Sequence, residues 1–264
     1  HVHSLRTFAD ARALVEKALV SKRAVVIGAS FIGLEVAAAL RKRLVEVDVV
    51  APGAVPMEKL LGADAGAGFR RLHEKHGVRF HLGTRPVSID AQWVTLADGR
   101  RLRANLVVVG IGVRPATELA EKAGLRIDRG VEVNEFLETS VPGVFAAGDI
   151  ARWPDPLTGE RIRVEHWALA QRQGVAAARN MLGKHEPFDA VPFFWTEQYD
   201  FSLVYSGHAE GWDVAEMDGD MDAYDCAVTY RKGGRALAVA TVYRDHDSLR
   251  AELEFERAVR TARA

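Results

Sequence analysis

Apolar residues recur at helical spacing over residues 7–19, where Phe8, Ala11, Leu14, Val15, Ala18 and Leu19 form one stripe behind a Thr7 suited to capping. A β-branched run, Ala24-Val25-Val26-Ile27, follows and stops at Gly28, as a buried parallel strand does. Residues 32–43 predict a second helix with Leu34, Val36, Ala37 and Leu40 on its apolar face. Residues 45–50 alternate as a strand and end at Ala51-Pro52-Gly53. A third helix is predicted over 63–76, closed by Gly77 at its C′ position. Strand and helix alternating in this way imply a parallel sheet with helices on its faces.

The pattern then changes. Residues 78–82, 87–89, 93–96 and 101–102 read as short strands, the last two joined by Ala97-Asp98-Gly99-Arg100, a hairpin signal. Residues 106–109 form another buried strand before Gly110-Ile111-Gly112, so a small antiparallel meander is expected between parallel strands. From Gly130 strands are predicted at 131–133 and 144–146, then a loop with Pro154, Pro156 and Gly159, then a helix over 165–182. Beyond Pro192 the chain turns to aromatics and strands at 201–205, 213–216, 223–230 and 237–243, with a final helix over 248–260. Three segments result: residues 1–127, 128–187 and 188–264.

The 264 residues are 48% hydrophobic and 27% charged, which excludes disorder for most of the chain. Lys+Arg number 35 against 36 Asp+Glu, a net charge of -1, so no bulk electrostatic case exists for nucleic acid or an anionic membrane. One cysteine, Cys226, excludes a dithiol pair or multi-cysteine metal cluster within these residues. Apolar runs such as 106–109 fall far short of the ~18 residues that span a bilayer. The start has neither Met nor a signal-peptide layout, so the expectation is a soluble, cytoplasmic protein and a piece of a longer chain.

Gly28-Ala29-Ser30-Phe31-Ile32-Gly33 follows a strand and opens a helix, the context in which a G-x-G-x-x-G pattern binds a dinucleotide. Gly28 permits the tight turn, Gly33 allows close helix–strand approach, and the helix N-terminus offers N–H groups to a pyrophosphate. Ser30 replaces the middle glycine. The competing reading is a bare strand–helix turn of another α/β protein. The acid expected ~20 residues on, for the ribose hydroxyls, is missing. Ala51 stands there, with Glu58 and Lys59 a few residues further. Glu35 is either an acid favoured by the helix dipole, worth ~0.3–1 kcal/mol, or a neighbour of the nicotinamide. His73 and His76 share a helix face but lack a third ligand, so no metal site is expected. Asp218, Asp220, Asp222 and Asp225 read as a solvated hairpin tip, not a calcium loop.

Five ordered stretches resemble the FAD-dependent, pyridine-nucleotide-linked ferredoxin reductases related to apoptosis-inducing factor. They are the fingerprint from Val26 to Glu35; Gly110-Ile111-Gly112-Val113-Arg114-Pro115; Thr139 through Gly148-Asp149; Arg163-Val164-Glu165-His166-Trp167; and Phe194-Trp195-Thr196-Glu197-Gln198. Ser30 and Val50-Ala51-Pro52 look most like the subgroup fused to a Rieske iron–sulfur domain. Two positions depart from the family: Leu44 stands where relatives usually place Gly, and Gly53 where the subgroup often has Glu. No N-terminal FAD-binding unit with its own glycine fingerprint is found in these residues.

The resemblance implies an α/β fold: a Rossmann-like parallel sheet with an antiparallel meander forming the NAD domain (1–127), the returning part of an FAD domain (128–187) and a C-terminal α+β domain (188–264). It implies FAD and NAD as cofactors, with NADH favoured because no basic cluster awaits a 2′-phosphate. Hydride would pass from NADH to FAD, then single electrons to a ferredoxin or Rieske-type iron–sulfur protein. Cofactor-binding residues would be Gly28, Ala29, Ser30, Phe31, Ile32, Gly33, Glu35, Gly112, Asp149, Glu165, His166 and Trp195. Glu35 and Trp195 would carry the electron-transfer site, although a lone Trp is otherwise a core residue. Exposed flavin-side surface points to self-association as a homo-oligomer. The alternative is a non-catalytic NAD-binding module, and flavin content discriminates the two.

Overall fold

A computed structural model describes residues 1–263. The chain runs through β1 (Val2–Ser4), α1 (Phe8–Val20), β2 (Arg23–Ile27), α2 (Phe31–Lys42), β3 (Glu46–Ala51), α3 (Glu58–Lys75) and β4 (Val78–Leu82). After β5 (Pro86–Ile89), β6 (Trp93–Leu96) and β7 (Arg101–Arg103) come β8 (Leu106–Val109) and the short α4 (Glu118–Lys122). The five-stranded sheet has the order β1-β8-β2-β3-β4, all parallel. Its inner strands are buried on both faces, which is why they read as continuous apolar runs. The β5-β6-β7 meander is antiparallel, and its Val94 and Leu96 pack against Val25, Ile27 and Val107.

Two expectations need correction. Residues 78–82 pair parallel with β3 and close the main sheet, so they are not part of the meander. Residues 144–146 make an isolated bridge, Glu138 to Phe145, instead of a strand. The structure also adds strands that periodicity had left out. These are β1 at the sheet edge, and within residues 128–187, where β9 (Val131–Glu132) answers to the strand expected at 131–133, β10 (Ala151–Pro154) and β11 (Arg161–Ile162). The last two flank the Pro/Gly loop. A 3₁₀ turn, Gly148–Ile150, and α5 (Trp167–Met181) complete this part, whose core gathers Val133, Leu137, Trp153, Ile162, Leu169 and Phe188. The C-terminal sheet runs β12-β13-β16-β15-β14 from β12 (Phe193–Gln198), β13 (Phe201–Gly207), β14 (Val214–Asp220), β15 (Asp225–Lys232) and β16 (Arg235–Val242). α6 (Asp245–Arg263) sets Ala251 and Phe255 beside Val191 and Val239.

Contacts group the chain into two units. One is His1–Gly112 with Thr196–Leu203 and Ala215–Val228; the other is Val113–Trp195 with Val204–Val214 and Thr229–Ala264.

Two buried ionisable side chains in the first unit are paired. Asp48 on β3 is 5% exposed because Arg79 and His81 on β4 reach it at 2.8–3.0 Å. Burial by itself would raise its pKa, but the Arg79 and His81 bonds outweigh this and hold it below the ordinary carboxylate value. His73 on α3 is fully buried, with Nε2 2.6 Å from Gln198 Oε1. Burial drives its pKa down to about 4. An unfolded chain therefore binds a proton that folded His73 refuses. This contribution is full above the unfolded value near 6.5 and is lost as pH falls toward 4. Between about pH 7 and about pH 4.5 the loss is up to ~3 kcal/mol. A His73→Asn variant should show a flatter change in urea midpoint across that window than the parent.

Leu44 follows α2 at φ 62, the left-handed region, and is 87% exposed. Its N–H bonds Arg41 O while that of Val45 bonds Leu40 O, the two closures of a Schellman motif that favours glycine. Leu44→Gly relieves strain of ~1–2 kcal/mol and incurs ~0.5–1 in backbone entropy, so chemical denaturation should show a net gain of about 0.5–1 kcal/mol.

Candidate nucleotide and flavin site

At the end of β2 the turn closes on backbone. Gly28 has φ 111, and a Cβ there would stand 2.2 Å from the Gly110 carbonyl oxygen. A Cβ on Gly33 would stand 2.2 Å from the Gly28 oxygen, and Gly110 abuts the Gly33 Cα. A bulky residue at Gly28 therefore disrupts the fold as well as any binding. Gly110 is a third glycine of this crossing, a role its place beside Gly112 in the quoted turn did not reveal. Gly112 has φ 104 and open space around it. Ala29 accepts a bond from Met57 N–H, fastening the start of α3 to the loop.

Ser30 is the N-cap of α2, yet its hydroxyl donates to Gly110 O at 3.1 Å and does not cap the helix. No acid occupies the first turn of α2. A twelve-residue helix thus presents its N-terminus without a side-chain cap or a negative neighbour in that turn, which suits a pyrophosphate. Phe31 and Ile32 open the helix, and Glu35 lies one turn further on its exposed side. Thr196 Oγ1 donates to Glu35 Oε1 at 2.6 Å. Glu35 also borders a mainly apolar groove of ≈ 320 Å³ with Leu14, Val15, Ile32 and Val36. At the end of β3, Glu58 Oε2 accepts from Ala54 N–H, so a carboxylate does stand beside the loop where Ala51 offered none. In the sequence Glu58 stands only a few residues past the place where that acid is expected.

In the second unit the residues expected at the flavin side assemble around a different turn. Gly148, at φ 81, packs against Ala170 of α5 and donates its N–H to the fully buried Gln173 Oε1. Arg163 donates to the Asp149 carbonyl at 2.9 Å and to Glu165 at 2.6 Å, tying that turn to the approach to α5. His166 is the N-cap of α5, its Nδ1 accepting from Ala168 N–H. Burial lowers its pKa against the opposing pull of Asp149, which keeps that acceptor available. Trp195 lies edge-on to His166 at 5.3 Å and to Trp167 at 5.5 Å. Trp167, inside a quoted stretch but not singled out there, joins the cluster. The Asp149 carboxylate accepts no hydrogen bond among the described residues, and Gln173 Nε2 is buried without a partner. Such acceptors and donors fit a hydroxyl- and carbonyl-bearing cofactor.

Among the described residues no group of three His, Cys, Asp or Glu could hold a metal ion. Both nitrogens of His73 engage Gln198 and Tyr199, and His76 bonds Leu72 O. Asp222, at the acidic hairpin, pairs with Arg71. No described helix is long and apolar enough to cross a membrane.

A carboxylate at the N-cap would fill the anion position. Ser30→Asp should leave the fold as stable as the parent or stabilise it by about 0.5–1 kcal/mol while weakening NADH binding at least about tenfold in calorimetry. Unchanged affinity would place the pyrophosphate elsewhere.

The model of the pyridine nucleotide-disulphide oxidoreductases matches residues 1–174, and that of the reductase C-terminal domain matches 193–264. A ferredoxin–NAD(+) reductase component of an anthranilate 1,2-dioxygenase system from Burkholderia cepacia is 38% identical over 245 residues, covering 91% of this chain and 60% of the relative. Putidaredoxin reductase from Pseudomonas putida is also 38% identical, over 91% of this chain and 58% of its own length. Human apoptosis-inducing factor 3 is 36% identical over 93% of the chain but 42% of its own. The solved covalent putidaredoxin reductase–putidaredoxin complex matches with TM-score 0.93 and 34% identity, over 97% of this chain and 63% of that one. The chain thus spans about two to three fifths of the length of these curated relatives. With one family's pattern running unbroken from β1 into α5, over more than half of its residues, the chain belongs to the pyridine nucleotide-disulphide oxidoreductase family.

Proposed function

We propose that this chain supplies the NADH-binding part and the flavin-side aromatic cluster of an FAD-dependent reductase that passes electrons to a ferredoxin or Rieske-type iron–sulfur protein. The observation that carries the reading is the α2 N-terminus, left uncapped because Ser30 bonds Gly110 O, one turn ahead of a Glu35 already held by Thr196. In this reading backbone N–H groups of the 28–33 turn bind the pyrophosphate. Glu35 accepts the nicotinamide carboxamide N–H through Oε2, which has no partner among the described residues. Glu58 faces the ribose hydroxyls and favours NADH over NADPH, since a carboxylate repels a 2′-phosphate.

Asp149 accepts from a ribityl hydroxyl, while Glu165 and His166 bring backbone to the flavin edge. Trp195 and Trp167 give a flat apolar wall that excludes water. Bound FAD supplies the conversion of a two-electron hydride into single electrons. One cysteine among the 264 residues leaves no dithiol relay within them, which supports a one-electron acceptor. The names of the relatives, ferredoxin–NAD(+) reductase and putidaredoxin reductase, support the same acceptor class. Cytoplasmic residence, where NADH is replenished, belongs to this proposal.

Anaerobic mixing of the FAD-loaded protein with NADH should bleach the flavin, and Glu35→Ala should slow that step about tenfold or more while leaving reoxidation by a dye intact. Nucleotide binding without bleaching would make the protein a binding module instead.

A further inference from the structure

We propose that Thr196 and Gln198 are positioning residues for Glu35, at the end of a one-directional hydrogen-bond chain that starts at Tyr199 and runs through buried His73. The inference rests on the reading of Glu35 as the nicotinamide acceptor and adds what holds it there.

The direction follows from what each group can donate. A carboxylate only accepts, so the Thr196 hydroxyl proton must point at Glu35 Oε1, 2.6 Å away. The Thr196 oxygen is then left to accept, and Gln198 Nε2 donates to it at 3.1 Å. That choice fixes the amide orientation and turns Gln198 Oε1 toward His73 Nε2 at 2.6 Å. His73 must therefore carry its proton on Nε2, which leaves Nδ1 to accept from the Tyr199 hydroxyl at 3.3 Å. Amide orientation and imidazole tautomer are ordinarily ambiguous; here one acceptor at one end settles both.

Thr196, Gln198 and His73 are 2%, 1% and 0% exposed, so water does not compete along the middle of the chain. Burial keeps His73 neutral and the Tyr199 phenol protonated, the states the chain needs. Tyr199 is itself locked, stacked on His76 at 3.6 Å and held at φ 62. If these buried groups merely satisfied one another, the last proton need not leave the interior. Instead it goes to an exposed side chain on α2, restrains Oε1 and leaves Oε2 for a ligand.

The test uses this chain, labelled with ¹⁵N, and three probes: NADH, its 3-acetylpyridine analogue, which lacks the carboxamide N–H₂, and ADP-ribose. Histidine ¹⁵N correlation spectra should show His73 protonated on Nε2, a measurement that needs no variant. Calorimetry should show Thr196→Val losing about fivefold or more of the preference for NADH over the analogue, as Glu35→Ala does, with ADP-ribose affinity unchanged and Thr196→Ser restoring the preference. An Nδ1–H tautomer, or a full preference in Thr196→Val when Glu35→Ala has lost it, overturns the positioning chain alone. A full preference in Glu35→Ala overturns the nicotinamide reading and the positioning role with it.

Discussion

Where β2 gives way to α2, the backbones of Gly28, Gly33 and Gly110 approach so closely that a Cβ on Gly28 or Gly33 would stand 2.2 Å from a carbonyl oxygen. No side chain can occupy that crossing, and its tightness sets much else. It draws the turn after β8 against the start of α2. That puts Gly110 O within reach of the Ser30 hydroxyl, which is thereby removed from its usual capping duty. The helix then meets solvent with its amide end available. In this fold a helix N-terminus free of a side-chain cap arises from a close backbone contact and one diverted hydroxyl.

The polar groups of the first unit obey a related economy. Asp48, His73, Thr196 and Gln198 are all nearly or fully buried, and each has partners whose chemistry matches its own. Asp48 stays ionised because a guanidinium and an imidazole face it from the next strand. His73 stays neutral because burial outweighs its one favourable hydrogen bond. Opposite protonation outcomes in one sheet-and-helix unit come from whether a compensating charge lies within bonding distance. The cluster at the start of α5 uses the same logic: a neutral His166 can accept from Ala168 N–H and cap α5.

Local pattern was enough for the main helices and the inner parallel strands. Capping at Thr7, the β-branched runs at 24–27 and 106–109 and Gly77 after α3 are short-range signals, each with a physical meaning independent of the rest of the chain. The glycine fingerprint was legible for the same reason: its spacing lies within one turn and one helix start. The ordered motifs also pointed correctly to the family.

Other features depend on residues distant in sequence, and only the tertiary structure decided them. Alternation in 45–50 suggested a strand with a polar face, but Asp48 is buried because β4 brings Arg79 and His81 beside it. Residues 78–82 read as one of the meander's short strands, since a strand's residues do not name its neighbour, yet they pair with β3. Gly110 lies 82 positions from Gly28, too far for any spacing rule, yet it meets Gly28. The link from Glu35 to Thr196 spans 161 residues. Sequence determines which groups a segment can offer; which of them meet is set by chain crossings and burial, because hydrogen bonds act over about 3 Å regardless of separation along the chain.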